Sequence, residues 1–342
     1  MQNEDPLHSA SAANTRWLLG HSFESPEVQA LVEGWEQLEW IDEEDLEKAR
    51  TDRRLSLMNE GLGLYLFFTT AECYTRRYGM PKSNGWLVLA RVVFLLDFGN
   101  GFNPFQGRLP MGVLATDTFE AIAHRVSRPV RAWSANGRVH KARWLTDELD
   151  VDVSFTADDN AIRLISITPE RLPSSAARAA APMPSPEQFV DLFGTPLSAL
   201  ERRPDLEAFE LSARAEEIGT YGEADCSAET GVELYFKPGG EIDRSIYPGP
   251  DTSEPCLSGL RYRVDLDFKS TSYAGALPNG LDFDDPVAVV VAKLGTPPVA
   301  ESFDGRDGYQ RWRLARTDLH VLYSQLEDRI YRVTLLAHGC YE

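Results

Sequence analysis

The chain has 342 residues, 43% of them apolar and 25% charged, with 34 basic against 53 acidic side chains for a net charge of −19. That length exceeds what one hydrophobic core commonly serves, so two domains are expected. The charge opposes binding to nucleic acid or an anionic lipid surface and favours encounter with a basic protein.

The acidity is spread over both halves: −8 up to residue 170 and −11 after it. At the N-terminus, "MQNEDPLHSASAANTRWLLG" lacks the basic start and apolar centre of a secretory leader. Residues 1–24 therefore read as a tail. The longest apolar run, "WLVLARVVFLLDF", is interrupted by Arg91 and is too short to span a bilayer. Cys73, Cys226, Cys256 and Cys340 are too few and too scattered for a disulfide framework or a zinc site. The expected compartment is the cytoplasm, with reduced thiols, no membrane partner and no cofactor.

The stretch "SPEVQALV" from residue 25 leads into "EGWEQLEWIDEEDLE", Glu33 to Glu47. This segment holds eight acidic and no basic residues, with Trp35 and Trp40 among them. A solvated helix face is its plain reading. As a partner surface it is the best candidate on the chain, with Glu33, Trp35, Glu36, Glu39, Trp40, Asp42, Glu43 and Glu44 as contact residues. Aromatic anchors among acids suit a basic target. The second half shows no obvious counterpart, which favours a special role.

A duplication organises everything that follows. "LPMGVLATDTFEAIAHRVSRPV" from 109 and "LPNGLDFDDPVAVVVAKLGTPP" from 277 lie 168 residues apart. At that offset Asp117 falls on Asp285, Pro129 on Pro297, Trp144 on Trp312 and Val153 on Val321. Upstream, "SPEVQALV" at 25 matches "SPEQFVDL" at 185, "GLGLYLF" at 61 matches "GVELYF" at 231, and "FLLDF" at 94 matches "VDLDF" at 264. The offsets there drift between 160 and 170, which places insertions in loops. The Ala/Pro/Ser-rich "RLPSSAARAAAPMPSP" between the copies reads as a linker. The predicted organisation is a first repeat over 25–170, a linker over 171–184 and a second repeat over 185–342.

Within each repeat the local signals agree. Asp285 reads as a helix N-cap with Pro286 at the first helical position, and Gly295 as the stop. Asp117 takes the cap role in the first copy. The alternating segments "YQRWRLA", "DLHVLYS" and "RIYRVTLL" predict a three-strand antiparallel meander. "GVELYF" and "RVDLDF" add two strands before the helix. The fold class is α+β, two tandem homologous domains, each an antiparallel meander sheet with helices on one face.

The capped helix, "LGTP", the Trp strand, "LHVLY" and "RIYRVTLL" together resemble the BamE-like and beta-lactamase-inhibitor-like (BLIP-like) fold, over about 105–168 and 273–336. The tandem arrangement is similar to bacterial immunity proteins encoded beside contact-dependent or type VI effector toxins. The first copy departs from the pattern, with "VSRPV" where the second has "LGTPP". The resemblance implies an antitoxin that binds a cognate toxin, a basic protein, with no catalytic group of its own. Its looser implication is a BamE-like adaptor or scaffold.

Enzymatic readings are weaker. Asp251, with Asp267 and Lys269 in "DFK", resembles a PD-(D/E)xK metal nuclease. However, Gly99 stands where the first copy would need the lysine, and an acidic protein is a poor DNA ligand. Asp282, Asp284 and Asp285 could pose as metal ligands, but the cap explains Asp285. Cys73 or Cys226 could be set against His124, His140, His320 or His338, yet no local spacing pairs them. Trp144 and Trp312, at matched positions in an alternating strand, read as core.

Overall fold

A computed structural model describes residues 12–33, 35, 41–97, 102–146, 148–156, 158, 160–172, 183–250, 252–264, 273–304 and 306–340. The chain divides into two units, Met1–Ser175 and Ala176–Glu342. The first unit runs α1 (Ala12–Leu18), α2 (Pro26–Val32), α3 (Glu43–Asp52), β1 (Arg54–Asn59), β2 (Leu64–Thr70), α4 (Ala71–Tyr78), β3 (Leu87–Leu95), α5 (Phe119–Arg125), β4 (Arg131–Ala135), β5 (Arg138–Thr146), β6 (Leu149–Phe155) and β7 (Ile162–Pro169). The second runs α6 (Pro186–Asp191), α7 (Leu197–Leu200), α8 (Ala215–Tyr221), β8 (Glu223–Cys226), α9 (Ser227–Thr230), β9 (Val232–Pro238), β10 (Pro255–Arg263), α10 (Val287–Leu294), β11 (Ala300–Phe303), β12 (Asp307–Arg313), β13 (Thr317–Ser324) and β14 (Arg329–Ala337).

Both units are α+β and share one topology. Seven antiparallel strands lie in the order β1-β2-β3-β7-β6-β5-β4, and β8-β9-β10-β14-β13-β12-β11 is the same arrangement. Three strands meander to the middle of the sheet, and a crossover carrying α5 or α10 then reaches the far edge. Four more strands walk back, until the last pairs with the third. The predicted meander of β12, β13 and β14 is present, and β11 extends it at the edge.

Register shows how deep the duplication goes. Val92 faces Ile167, and Leu260 faces Leu335. Leu66 faces Val92, and Leu234 faces Leu260. Each third strand carries its bulge at the same place, between Phe67 and Phe68 on one partner and between Leu257 and Gly259 on the other. These strands keep the offset of 168, so "GLGLYLF" aligns two residues differently from the sequence match: Gly63, not Gly61, corresponds to Gly231. Gly63 carries φ +63°, and a Cβ there would come within 2.5 Å of the Asn103 carbonyl. Its carbonyl accepts from Leu95 N–H, as Gly231 accepts from Arg263 N–H, both at 2.8 Å.

Beneath each crossover helix sits a buried carboxylate. Asp285 accepts from Asp282 N–H at 2.8 Å and from Lys293 Nζ at 2.6 Å, and Lys293 also donates to the Gly280 carbonyl at 2.8 Å. Asp117 accepts from Leu114 N–H at 2.7 Å and takes the Arg125 guanidinium at 2.5 and 2.9 Å, while Arg125 donates to Gly112 O at 3.2 Å. Neither aspartate is the helix cap, because its carboxylate folds back into this clamp. Pro286 occupies the N-cap of α10, and Thr118 caps α5 through Ala121 N–H. The C-cap stands as predicted at Gly295, in the left-handed region at φ +68°.

Gly295 has no partner in the first copy. Val130 N–H and Val299 N–H both donate to the carbonyl of a strand arginine, Arg143 and Arg311, so the offset is 169 just after the helices. Pro129 therefore corresponds to Pro298, not Pro297. The offset returns to 168 at the bulge in the β4–β5 pair.

Two further expectations change. Residues 12–24 are no tail: Leu18 and Leu19 enter the first core, and Ser22 bridges Val88. The same docking recurs in the second unit, where Pro196 bridges Cys256, and Gly194 N–H bonds Leu257 O as Gly20 N–H bonds Leu89 O. Hence α1 corresponds to α6, and the shared "SPE" of α2 and α6 reflects a common way to start a helix. Ser25 and Ser185 both cap, each with proline at the first turn. The expected strand "RVDLDF" overlaps β10 only at Arg263, and residues 265–270 lie outside the described ones.

Each core fills one sheet face. In the first unit it gathers Leu66, Phe68, Val92, Phe94, Trp144, Val153 and Ile165 with α1, α2 and Ile122 of α5. In the second it gathers Leu234, Leu260, Trp312, Val321, Tyr323 and Ile330 with α6, α7 and Val290 of α10. One further helix, α4, lies on the opposite face of the first sheet, packing Tyr74 against Val88 and Ala90. Among the described residues no helix is long and apolar enough to cross a membrane.

The clamp yields a stability prediction. Lys293→Met leaves the Asp285 carboxylate buried without its cation and is expected to cost about 3 kcal/mol at neutral pH in urea unfolding. Burial already raises the Asp285 pKa, against the pull of Lys293 and of Asp282 N–H. A carboxyl with a raised folded pKa loses stability as pH rises through that value. The variant should therefore recover part of its deficit as the solution is acidified through the titration of Asp285. An unchanged difference across pH would refute the clamp.

Candidate protein-binding surface

The acidic segment Glu33–Glu47 divides between core and surface. Glu33 is the C-cap of α2, where its N–H bonds Gln29 O. Trp35 is buried and belongs to the first core, so its indole is not a surface anchor. Apolar burial won over the acidic neighbourhood. Glu36, Glu39 and Trp40 lie outside the described residues.

Asp42, Glu43 and Glu44 are exposed at the start of α3. Asp42 caps that helix in a reciprocal capping box with Asp45: its side chain accepts from Asp45 N–H at 2.9 Å. Three acids in the first turn also meet the positive end of the helix dipole. The helix buries only Ala49 and ends at Arg53 in the left-handed conformation, φ 56°. Arg50 reaches Glu47 at 3.1 Å and stacks over Trp86 at 5.0 Å, which holds the last turn down. Beyond its acidic first turn, α3 exposes Glu47, Lys48 and Arg50 to water.

The second unit does have a counterpart, which the sequence alone concealed. α8 directly precedes edge strand β8, as α3 directly precedes edge strand β1. It too opens with acids, Glu216 and Glu217, buries one residue, Ile218, and ends in a left-handed residue, Gly222 at φ 71°. Tyr221 stands 75% exposed at its end, with exposed Glu223, Asp225 and Glu229 following. Arg214 spans Glu217 and Glu229 at 3.5 and 3.6 Å. The helices share no sequence, only place and charge, so residue matching could not pair them. An acidic helix before the edge strand is part of the common scaffold, not a peculiarity of the first copy.

The enzymatic candidates fall differently. Asp251, Asp267 and Lys269 lie outside the described residues. Asp285 is taken by Lys293, and Asp284 faces Arg329 at 3.4 Å. Among the described residues no three His, Cys, Asp or Glu side chains gather to hold a metal ion. All four cysteines are buried. Burial pushes the Cys226 thiol up to about 12 and also raises Cys256 and Cys340. The Cys226 thiol donates to Phe209 O at 3.6 Å. His320 is driven down to about 4 by burial, then by Arg261 and Arg311, which keeps it neutral at pH 7. His338 Nε2 sits 3.0 Å from Leu314 O. Trp144 and Trp312 are buried, and each indole N–H donates to a backbone carbonyl, Ser127 at 3.0 Å and Thr296 at 2.9 Å.

An open depression of about 450 Å³ is lined by Glu241, Asp243, Arg313 and His338 among others. Asp243 is engaged by Ser245, whose hydroxyl donates at 2.6 Å.

No family model matches the chain, and neither the curated proteins nor the solved structures include a match to it.

Thiol chemistry gives a direct check. In the native protein fewer than about 0.2 thiols per chain should react with a disulfide reagent within minutes, against all four after denaturation. A fast-reacting thiol would identify an activated cysteine and reopen nucleophilic catalysis.

Proposed function

We propose that this chain is a cytoplasmic antitoxin of the immunity-protein kind, which neutralises a basic toxin by stoichiometric binding rather than by catalysis. The observation that carries this reading is the pair of acidic helices, α3 and α8, set at the same place before the edge strand of each unit. Glu43, Glu44 and Glu216 are exposed in these first turns, where a cationic partner can reach them. The net charge of −19 extends this local field over the whole chain and steers a basic partner inward. Buried thiols and clamped aspartates are consistent with a binding role. Asp42, Glu43 and Glu44 remain the proposed contact residues, joined by Glu216, Glu217 and Tyr221.

A second reading, a non-catalytic adaptor of BamE-like design, uses the same surfaces and differs in the partner. A metal nuclease built on Asp251, Asp267 and Lys269 is the third.

Tagged protein recovered from lysate of its native cell tests the first reading. The expected result is one basic partner at a fixed ratio, toxic when expressed alone and harmless when co-expressed. Glu43→Gln with Glu44→Gln, and separately Glu216→Gln with Glu217→Gln, should slow association by about tenfold at low salt while leaving dissociation near its original rate. A partner without toxicity would move the reading to the adaptor. Magnesium-dependent DNA cleavage lost in Asp267→Asn would replace both.

A further inference from the structure

A surface of the opposite character lies on the first unit. Trp17 of α1 is 68% exposed although Leu18 and Leu19 beside it are buried. Met80, in the turn after α4, is 82% exposed, and Leu172 is 50% exposed. Hydrogen bonds bring these separate segments together. Lys82 N–H donates to Gly20 O at 2.8 Å and Lys82 Nζ to Trp17 O at 3.3 Å, which fixes the Met80 turn against the end of α1. Leu172 N–H donates to Arg77 O at 2.8 Å, tying the exit from β7 to the last turn of α4.

Cations border these side chains. Arg16 lies 6.0 Å from the Trp17 ring centre, and Lys82, two residues on from Met80 in sequence, reaches the Trp17 carbonyl through Nζ. Glu148 is close enough to act on Lys82, and Glu170, whose N–H donates to Glu148 O at 2.9 Å, lies two residues before Leu172. In a chain of net charge −19, cations gathered around exposed apolar side chains run against the overall composition.

The second unit shows that the scaffold does not require this arrangement. By the shared docking of Gly20 and Gly194, Trp17 corresponds to Asp191, which pairs with Arg316 at 2.6 Å. Between β9 and β10 the second unit has a short 3-10 turn, Gly239–Glu241, where the first has α4. Both the aromatic and the helix that positions Met80 are thus private to the first unit.

We infer that Trp17, Met80 and Leu172, bordered by Arg16 and Lys82, form a docking surface for an acidic amphipathic segment of a partner protein. The apolar side of such a segment would cover Trp17 and Met80, the residue types that best serve as a large anchor and an adaptable contact. Its carboxylates would face Lys82 and the Arg16 guanidinium. Lys82 is exposed here, so its ammonium can take an added carboxylate from a partner. This surface shares no residue with α3 or α8 and does not depend on a basic toxin.

The test uses full-length protein carrying 5-fluorotryptophan at its seven tryptophans, with Trp17→Phe assigning one fluorine resonance. The probe is a synthetic helical peptide with leucines on one face and glutamates on the other. The Trp17 resonance should shift and saturate, and the other described tryptophans should stay still. Trp17→Ala with Met80→Ala should weaken binding at least about tenfold at an unchanged melting temperature, and Lys82→Glu about fivefold. Glu43→Gln with Glu44→Gln should change nothing. The inference is overturned if the peptide leaves Trp17 unmoved. Equal binding of a lysine-for-glutamate peptide overturns it too, as does a shift produced by phosphatidylglycerol vesicles alone.

Discussion

A carboxylate buried under the crossover helix, Asp117 in one unit and Asp285 in the other, holds each sheet's two halves in relation. It ties together a tight turn, the far end of a helix and, through the helix cation, the carbonyl of a preceding glycine. These groups belong to the long connection from the central strand to the sheet's far edge. Without the clamp that connection would have little to fix its path, since α5 is seven and α10 eight residues long. Helices of that length are marginal on their own. The indole N–H bonds of Trp144 and Trp312 to the segment leaving the helix complete the fastening.

The two units solve this problem with different cations. Arg125 grips Asp117 with two parallel hydrogen bonds, whereas Lys293 divides one ammonium between Asp285 and the Gly280 carbonyl. The Gly295 stop and the capping threonine are likewise present in one copy only. Such exchange is tolerated because the geometry needs a cation and a turn, not a particular residue. What stays constant is register: strand pairing, bulge and offset agree through the centre of both sheets. A shift of one residue would turn every core side chain outward.

On that common frame the copies diverge outside the paired strands. Acidic helices sit before both edge strands with no shared sequence beyond their charge. Only the first unit has α4, and only there does an exposed tryptophan stand where the other unit has an ion pair. Surface that varies while the scaffold repeats is where partner choice can be written without cost to the fold.

Much of this was legible in the residues. Period-two alternation marked β12, β13 and β14, because one sheet face is buried and the other is not. The offset of 168 marked the duplication, because core positions tolerate few exchanges. The Gly295 stop was legible because a left-handed residue favours glycine. Local signals misled where one motif serves many purposes. Ser-Pro-Glu starts a helix anywhere, so it paired α2 with α6, while hydrogen bonds to the central strand pair α1 with α6. An aspartate before a helix reads as a cap, and only the fold brings Lys293 back to claim it. Trp35 sits among acids in sequence but in the core in space. Composition, periodicity and repetition thus determined the class of fold and its doubling, since each is a property of neighbours along the chain. The clamp, the matched acidic helices and the Trp17 surface were decided only by tertiary structure, because each joins groups that the chain itself keeps apart.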